Sequence, residues 1–174
     1  VAFGSTLTGL TTILNDNAVP SQFAAISFTG NSGGISVQTA NIVNAQGGAP
    51  GGAGINVVDN TGAVSFGVID VESFDGIGLF GLNNTSIRVG DGVIETDNAA
   101  AVDIEQTGID IILESVTSLN SPDYGIRLVE TNRDGFRTFE VDPGIVNAVP
   151  GDGGQIANAK GDGLDNNDSA GVFL

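Results

Sequence analysis

The sequence predicts an all-β protein that folds as a parallel β-helix (solenoid), with about six coils of three short strands each. The first observation is a recurring phrase, in which a small residue precedes two apolar residues that are separated by one position. The second is the spacing of this phrase, and the third is a composition in which 27 of 174 residues are glycine. The phrase starts at Ala25, Gly54, Gly76, Ala101, Gly125 and, in a decayed form, Gly163.

The spacing of the phrase points to stacked repeats. Steps of 29, 22, 25, 24 and 38 residues separate the first apolar residue of successive copies. A unit of this length cannot bury its own apolar face, so neighbouring units must stack to form one continuous core. The apolar period of amphipathic helices is missing, and the turns are longer than the two-residue connections of an antiparallel sandwich.

The coil that starts at Gly54 shows the three-strand plan most clearly, because one polar or small residue separates the two apolar residues of each strand. Its apolar pairs are Ile55 with Val57, Val64 with Phe66, and Ile69 with Val71. A period of two places the apolar set on the inner side of a half-buried strand. Later pairs are Ile77 with Leu79, Ile87 with Val89, Ile94 with Thr96, Val102 with Ile104, Ile109 with Ile111, Val116 with Leu119, Ile126 with Leu128, and Phe139 with Val141.

Residues 1–174 are expected to form one β-helix domain, with the coils over residues 23–174. Residues 1–22 match the repeat less well and are expected to be irregular or to dock at the N-terminal end. Two segments, 45–53 and 142–152, lengthen their coils and are rich in Gly and Pro. They are predicted to protrude as loops.

The composition limits the classes of partner. Five Lys and Arg against 21 Asp and Glu give a net charge of −16, so nucleic acid or an anionic membrane surface would be repelled. No apolar run approaches the length of a membrane span, and we expect neither nucleic-acid binding nor membrane insertion. Cys, His, Met and Trp are absent, which removes disulfides and thiolate or imidazole metal ligands and leaves stacking as the source of stability.

The repeated phrases resemble the parallel β-helix repeats of large secreted bacterial surface proteins, which are related in fold to pectate-lyase-like domains. The segments that carry the resemblance are 54–62, 76–79, 125–128 and 157–164. The resemblance covers the chain from about residue 23 onward, and it implies a right-handed coil and an extracellular or cell-surface location. Some members of this class are scaffolds or adhesins and others cleave polysaccharides, so the resemblance leaves the activity open.

The residues that most resemble a catalytic site are carboxylates near an arginine. Asp103 and Glu105 are expected beside Arg127 one coil further on, and Asp70 and Glu72 lie on another strand. Such groups could bind a cation or protonate a leaving group of an acidic polysaccharide. We favour a structural role, because an arginine between solvated carboxylates neutralises the surface of a sheet, and we predict no catalytic residue.

Outward positions on stacked strands should form columns along the solenoid axis. The first-strand column is predicted to contain Ser27, Asn56, Gly78, Asp103, Arg127 and Asp165, and the second-strand column Ser65, Arg88, Asp110 and Glu140. The predicted charge ladder therefore pairs Arg127 with Asp103 and Asp165, and Arg88 with Asp110. Lateral pairs of this kind contribute a few tenths to about 1 kcal/mol each.

The segment 161–168 has the acidic, glycine-rich character of a calcium loop. Asp162, Asp165 and Asp168 are candidate calcium ligands, since a hard cation prefers several oxygen donors. The segment lacks the spacing of an EF-hand loop and of the calcium-binding nonapeptide, and turn formation explains its Asp and Asn residues equally well. No other cofactor is predicted.

Apolar residues near both ends of the sequence are predicted to form assembly edges. They are Val1, Phe3, Leu7, Leu10, Val172, Phe173 and Leu174. An open end of a β-helix exposes unpaired backbone groups and core side chains unless something covers it. We therefore expect head-to-tail contacts with other copies of the chain, or with a flanking β-helix of a longer chain.

These observations favour a structural extracellular unit that stacks end to end into a filament, stalk or sheath. One alternative is an adhesin or surface-display segment, whose outer face or loops bind a partner. The third hypothesis, a polysaccharide lyase or hydrolase, would require a groove with clustered acidic, basic and aromatic residues.

Overall fold

The computed structural model shows an all-β chain whose parallel strands stack into a solenoid, which confirms the predicted fold class. It describes residues 5–14, 24–44, 52–135, 137–143, 153–157 and 172–173. Beside the strands, these ranges contain one short 3₁₀ turn, Arg133–Gly135. No helix in the described part of the chain has the length and hydrophobicity needed to cross a membrane.

Most strands are short, and β1, β3 and β5 are long because each continues around a corner of the solenoid. The strands are β1 (Ser5–Leu14), β2 (Ile26–Thr29), β3 (Ile35–Asn44), β4 (Ile55–Val58), β5 (Val64–Phe74), β6 (Leu79–Leu82), β7 (Ser86–Val89), β8 (Gly92–Asp97), β9 (Val102–Glu105), β10 (Gly108–Leu113), β11 (Ser115–Leu119), β12 (Ile126–Val129), β13 (Arg137–Val141), β14 (Ile156–Ala157) and β15 (Val172–Phe173).

The strands form three faces that run along the solenoid axis. Face 1 consists of β2, β4, β6, β9, β12 and β15, paired in that order. Face 2 consists of the first halves of β3 and β5, followed by β7, β10 and β13. Face 3 consists of the second halves of β3 and β5, followed by β8, β11 and β14.

The register on face 1 defines the repeat. The aligned positions Ile26, Ile55, Leu79, Val102 and Ile126 are separated by 29, 24, 23 and 24 residues. The described residues therefore contain four consecutive turns, with parts of further turns on both sides, where the sequence predicted about six coils. The predicted three strands per coil correspond to the three faces.

The inward side chains of the three faces form one apolar core. Ile55 from face 1, Ile87 from face 2 and Ile94 from face 3 have no exposed surface. The rings of Phe28 and Phe66 add an aromatic contact, with centroids 6.1 Å apart. Burial of one such side chain stabilises the fold by about 1.5 to 3 kcal/mol, and the same pattern recurs on every turn.

The register of β6 differs from the predicted one by two residues. The sequence placed Ile77 and Leu79 inward, whereas the structure aligns Leu79 with Ile55 and puts Gly81 at the second inward position. A Cβ on Gly81 would lie 2.6 Å from Ile87 Cδ1, so an isoleucine from face 2 occupies the space that a side chain would need. Alternation of apolar residues cannot reveal an inward glycine.

The outward columns change accordingly. On face 1, Phe80 and not Gly78 is the neighbour of Asp103. On face 2, Thr138 and not Glu140 pairs with Asp110, because β13 joins the sheet two residues earlier than predicted. The face 2 column therefore carries one carboxylate fewer than the sequence suggested, and the face 1 column has an aromatic ring in place of a glycine.

The N-terminal segment, residues 1–22, was expected to be irregular or to dock at the N-terminal end. Ser5–Leu14 form β1, which pairs in parallel with β3 along faces 2 and 3. This strand is rich in Thr and Leu, and β-branched residues such as threonine favour strands. The predicted loops, 45–53 and 142–152, lie outside the described residues except at their edges.

A ladder of polar side chains runs through the interior of the corner that follows face 1. Asn31, Asn60, Asn84 and Thr107 take equivalent places on successive turns, and each hydrogen bonds to the next. Asn84 also donates from Nδ2 to the carbonyl oxygen of Val57, at 2.8 Å. Because the last three members are at most 1% exposed, the ladder satisfies buried backbone groups that would otherwise lack partners.

Candidate functional site

Arg127 lies on the outer side of face 1, where it donates hydrogen bonds to two carboxylates. Asp103 and Glu105 are outward residues of β9, and Arg127 is the outward residue of β12 that pairs with Asp103. The guanidinium donates from one nitrogen to Asp103 Oδ1 at 3.0 Å and from another to Glu105 Oε2 at 2.7 Å. Charge-assisted hydrogen bonds of this length are among the stronger polar contacts in proteins.

Tyr124 completes this cluster from the corner that precedes β12. Its hydroxyl donates to Asp103 Oδ2 at 3.0 Å, and the Arg127 guanidinium carbon lies 5.8 Å from the ring centroid. The Asp103 side chain is 8% exposed, against 26% for Arg127 and 34% for Glu105. The buried carboxylate thus has partners on both of its oxygens, as a buried charge requires.

The cluster changes the proton affinity of its basic and phenolic groups. Burial lowers the pKa of Arg127, but the hydrogen bonds that it donates to Glu105 and Asp103 outweigh this effect and raise that pKa overall. Burial is the main cause that raises the pKa of Tyr124 to about 12, and the charge and hydrogen bond of Asp103 add to it. Arg127 therefore stays cationic and Tyr124 stays a hydrogen-bond donor at neutral pH.

The raised pKa of Tyr124 gives a testable pH dependence. The folded chain holds the phenolic proton more tightly than the unfolded chain, so the resulting stability is present below pH 10.0 and is lost as the pH rises through about 12. Tyr124 is the single tyrosine, so tyrosinate absorbance reports on it alone. We expect a titration midpoint near 12 in the folded chain and an ordinary midpoint in urea; equal midpoints would contradict the cluster.

A groove adjoins this cluster at the corner between face 3 and face 1. Its volume is about 280 Å³. The floor is formed by Ala99 and Ala100, which are at most 7% exposed, and Ile77 and Tyr124 stand on either side. Its remaining lining residues are Asp75, Asn98, Ser121, Pro122 and Asp123.

The groove arises where the corner segments of three successive turns stack, because these segments differ in length and in the size of their side chains. Ile77, Ala100 and Tyr124 each stand two residues before an aligned face 1 position, so they follow one another along the axis. Successive turns are ~4.8 Å apart, which leaves a slot above the Ala100 methyl group between the two larger side chains. The corner segment 120–125 is also two residues longer than its counterpart 98–101 on the preceding turn.

The structure brings part of the predicted charge ladder together. Arg127 and Asp103 form the ion pair described above, and Arg88 and Asp110 are neighbours in register. On its other side Arg127 pairs through the backbone with Phe173. Asp165, the predicted neighbour at that position, lies outside the described residues.

The acidic residues considered for catalysis are divided between two faces. Asp70 and Glu72 lie on β5, on face 3, where they pair with Val93 and Glu95. They are therefore not part of the Arg127 cluster on face 1. The candidate calcium ligands Asp162, Asp165 and Asp168 lie outside the described residues, and the described part contains no group of three or more acidic, His or Cys side chains suited to a metal ion.

The predicted assembly edges are described only in part. Leu7 and Leu10 belong to β1 and align with Val37 and Thr39 of β3. Val172 belongs to β15, pairs with Ile126 and is 49% exposed, and Phe173 follows it in the same strand. The other three residues, Val1, Phe3 and Leu174, lie outside the described residues.

Tyr124 and the groove were missed in the sequence. The available signal was the unequal length of the corner segments that precede Val102 and Ile126, together with an isolated tyrosine and the dipeptide Pro122-Asp123. The assignment of Ile77 to an inward strand position concealed this signal. Once Leu79 takes that position, Ile77 moves to the corner and becomes one wall of the groove.

No family model matches the chain, and no curated protein or solved structure matches it either. The fold is therefore established by the strand pairing of this chain itself. The chemistry of the outer surface has to be inferred from the Arg127 cluster and from the groove beside it.

Proposed function

We propose that this chain is a structural extracellular β-solenoid unit that extends by end-to-end stacking with other copies, or with a flanking β-solenoid, into a filament, stalk or sheath. The observation that carries the proposal is the constant register of face 1, where β4, β6, β9 and β12 align residue for residue over steps of 24, 23 and 24 residues. Each turn thus presents strands with which the strands of the next turn pair in the same register.

The outer surface supports a structural role. The two carboxylates beside Arg127 accept its hydrogen bonds, and Asp103 also accepts one from Tyr124. A carboxyl group with both oxygens engaged in this way is poorly placed to exchange a proton with a substrate. An extracellular location is supported by the resemblance to the repeats of secreted surface proteins.

End-to-end stacking would use backbone groups on the edge strands of the described sheets. On face 1, β2 is the outermost described strand at one end and β15 at the other. The Ile26 N–H donates to the carbonyl oxygen of Gly54, just before β4, so the alternation of a parallel strand turns the N–H groups of Ser27 and Thr29 toward the opposite edge. Parallel strands present donors and acceptors on both edges, and the two ends of a solenoid can pair by simple translation.

Ser27→Pro tests this proposal at the β2 edge. Proline removes the edge N–H, which the β2–β4 pairing does not use, and is tolerated on edge strands. We expect the wild-type chain to form elongated particles that lengthen with concentration, and the variant to form shorter and fewer ones. Sedimentation velocity and negative-stain electron microscopy measure both.

The matched control is Ser27→Ala. It removes the hydroxyl that accepts a 2.9 Å hydrogen bond from Asn56 but keeps the edge N–H, so it should assemble as the wild type does. Discrete particles of one size across the whole concentration range of the wild-type chain would contradict self-stacking. Equal assembly of the proline and alanine variants would exclude the β2 edge.

A further inference from the structure

We propose that the corner groove beside Tyr124 binds the side chain of a lysine or arginine, presented by a basic segment of a partner protein. This inference goes beyond the stacking proposal and does not depend on it, because the groove lies on the side of the solenoid and the stacking contacts lie at its ends.

The shape of the groove suits a long side chain with an apolar stem. Its floor consists of the nearly buried Ala99 and Ala100, and Ile77 and Tyr124 form two walls. The walls stand two turns apart, a separation of about 10 Å between backbones. After allowance for the wall side chains, the space accommodates one alkyl chain, whose methylene groups would be buried against apolar surface while its charged end stays near the rim.

The charge of the groove selects a cationic end group. Among the described residues that line it, Asp75 and Asp123 are the ionisable ones beside Tyr124. Asp97, on the turn between them, pairs with Phe74 at the end of β8 and does not line the groove. An extended basic segment laid along the axis would therefore meet a carboxylate at each end of the groove, and the net charge of −16 would accelerate its approach.

Tyr124 gives the groove a fixed wall. The hydroxyl is held by Asp103, and Arg127 lies over the ring but does not line the groove. The groove therefore lies against a side of the Tyr124 ring that the Arg127 guanidinium does not cover. Side chains that are already fixed lose little entropy on binding, which favours affinity.

The experiment uses the intrinsic fluorescence of Tyr124, which is the only tyrosine in a chain that lacks tryptophan. The probes are a blocked tripeptide with a central lysine, the same peptide with norleucine in place of lysine, and methyl glucoside. We expect a saturable change with the lysine peptide, and binding of the norleucine peptide that is at least tenfold weaker. The affinity for lysine should fall as salt is raised.

Two pairs of substitutions separate the groove from the general negative field. Asp75→Asn with Asp123→Asn should weaken lysine binding at least tenfold, and asparagine suits the positive φ of 61° at position 75. Asp70→Asn with Glu114→Gln removes the same charge from exposed positions elsewhere and should change the affinity less than twofold. Ala100→Leu should fill the slot and abolish the fluorescence change while the circular dichroism spectrum stays that of the wild type.

Three results would overturn the proposal. Equal binding of the lysine and norleucine peptides would show an apolar site without selection for charge. Equal weakening by the two acid pairs would show diffuse attraction. A saturable response to methyl glucoside, with none to the lysine peptide, would show a sugar site in place of a site for a basic side chain.

Discussion

Replacement of Asn84 by alanine is expected to lower the free energy of unfolding by about 4 kcal/mol, which makes it one of the two most damaging single changes considered. Asn84 has no exposed surface. Its Oδ1 accepts from Asn60 N at 3.0 Å and from Asn60 Nδ2 at 2.9 Å, and its Nδ2 donates to Val57 O at 2.8 Å. Asn60 Nδ2 keeps its bonds to Phe28 O and Val58 O, but alanine removes the side-chain partner of Asn60 N and of Val57 O. Each buried group that loses its partner costs about 1 to 3 kcal/mol.

The neighbouring residue provides the control for this prediction. Asn83 is exposed, has a φ of 53° and donates to Asp59 Oδ1 at 2.8 Å, so Asn83→Gly removes an amide of the same size without straining the turn. We expect it to cost less than about 1 kcal/mol, as surface changes generally do. Urea unfolding followed by circular dichroism measures both variants, and hydrogen exchange of the Asn60 amide should accelerate in Asn84→Ala alone. Equal effects of the two substitutions would show that the ladder carries no special stability.

Arg127→Glu is expected to destabilise the fold by about 2 to 3 kcal/mol, somewhat less than the loss of a fully buried ion-pair partner, because Arg127 is 26% exposed. The change leaves Asp103, whose side chain is 8% exposed, without its cation. It also places a third carboxylate next to Asp103 and Glu105 on adjoining strands, where like charges repel. The midpoint of thermal unfolding should fall by several degrees, at about 2 to 4 °C per kcal/mol for a chain of this size.

Arg133→Glu is the matched control, since it changes the net charge by the same amount. Arg133 is exposed and donates to Asn83 at 2.9 Å, so its substitution should alter stability by less than about 0.5 kcal/mol. Added salt should reduce the difference between Arg127→Glu and the wild type, because it screens the repulsion. If both variants melt together, the Arg127 cluster does not stabilise the fold.

Several elements could be predicted because they depend on local pattern. Strands β4, β9 and β12 each begin with an apolar residue that follows a small one, and strict alternation identifies their inner side. The neighbours Arg127 and Asp103 could be predicted from the same pattern, since each stands between the two apolar residues of a repeated phrase. These predictions are possible because successive side chains of a strand point to opposite sides, and a sequence shows this alternation directly.

Other elements depend on contacts between distant residues and could not be predicted in this way. The inward position 81 carries a glycine because Ile87, from another face, fills the space that a side chain would need. Asn60 and Asn84 look like ordinary turn residues, yet they are buried and bonded along the axis. The groove beside Tyr124 exists because the corner segment 120–125 is two residues longer than segment 98–101 on the preceding turn.

The sequence by itself determined the architecture, an all-β parallel solenoid, because the repeated apolar alternation leaves each unit unable to bury its own face. Only the tertiary structure decided the register of β6, the pairing of β1, the buried asparagine ladder and the position of Tyr124. The physical reason is that each of these features is set by packing and hydrogen bonds across adjoining turns, some 23 to 30 residues apart in the sequence. A pattern within one turn carries no information about which residue of the next turn will lie against it.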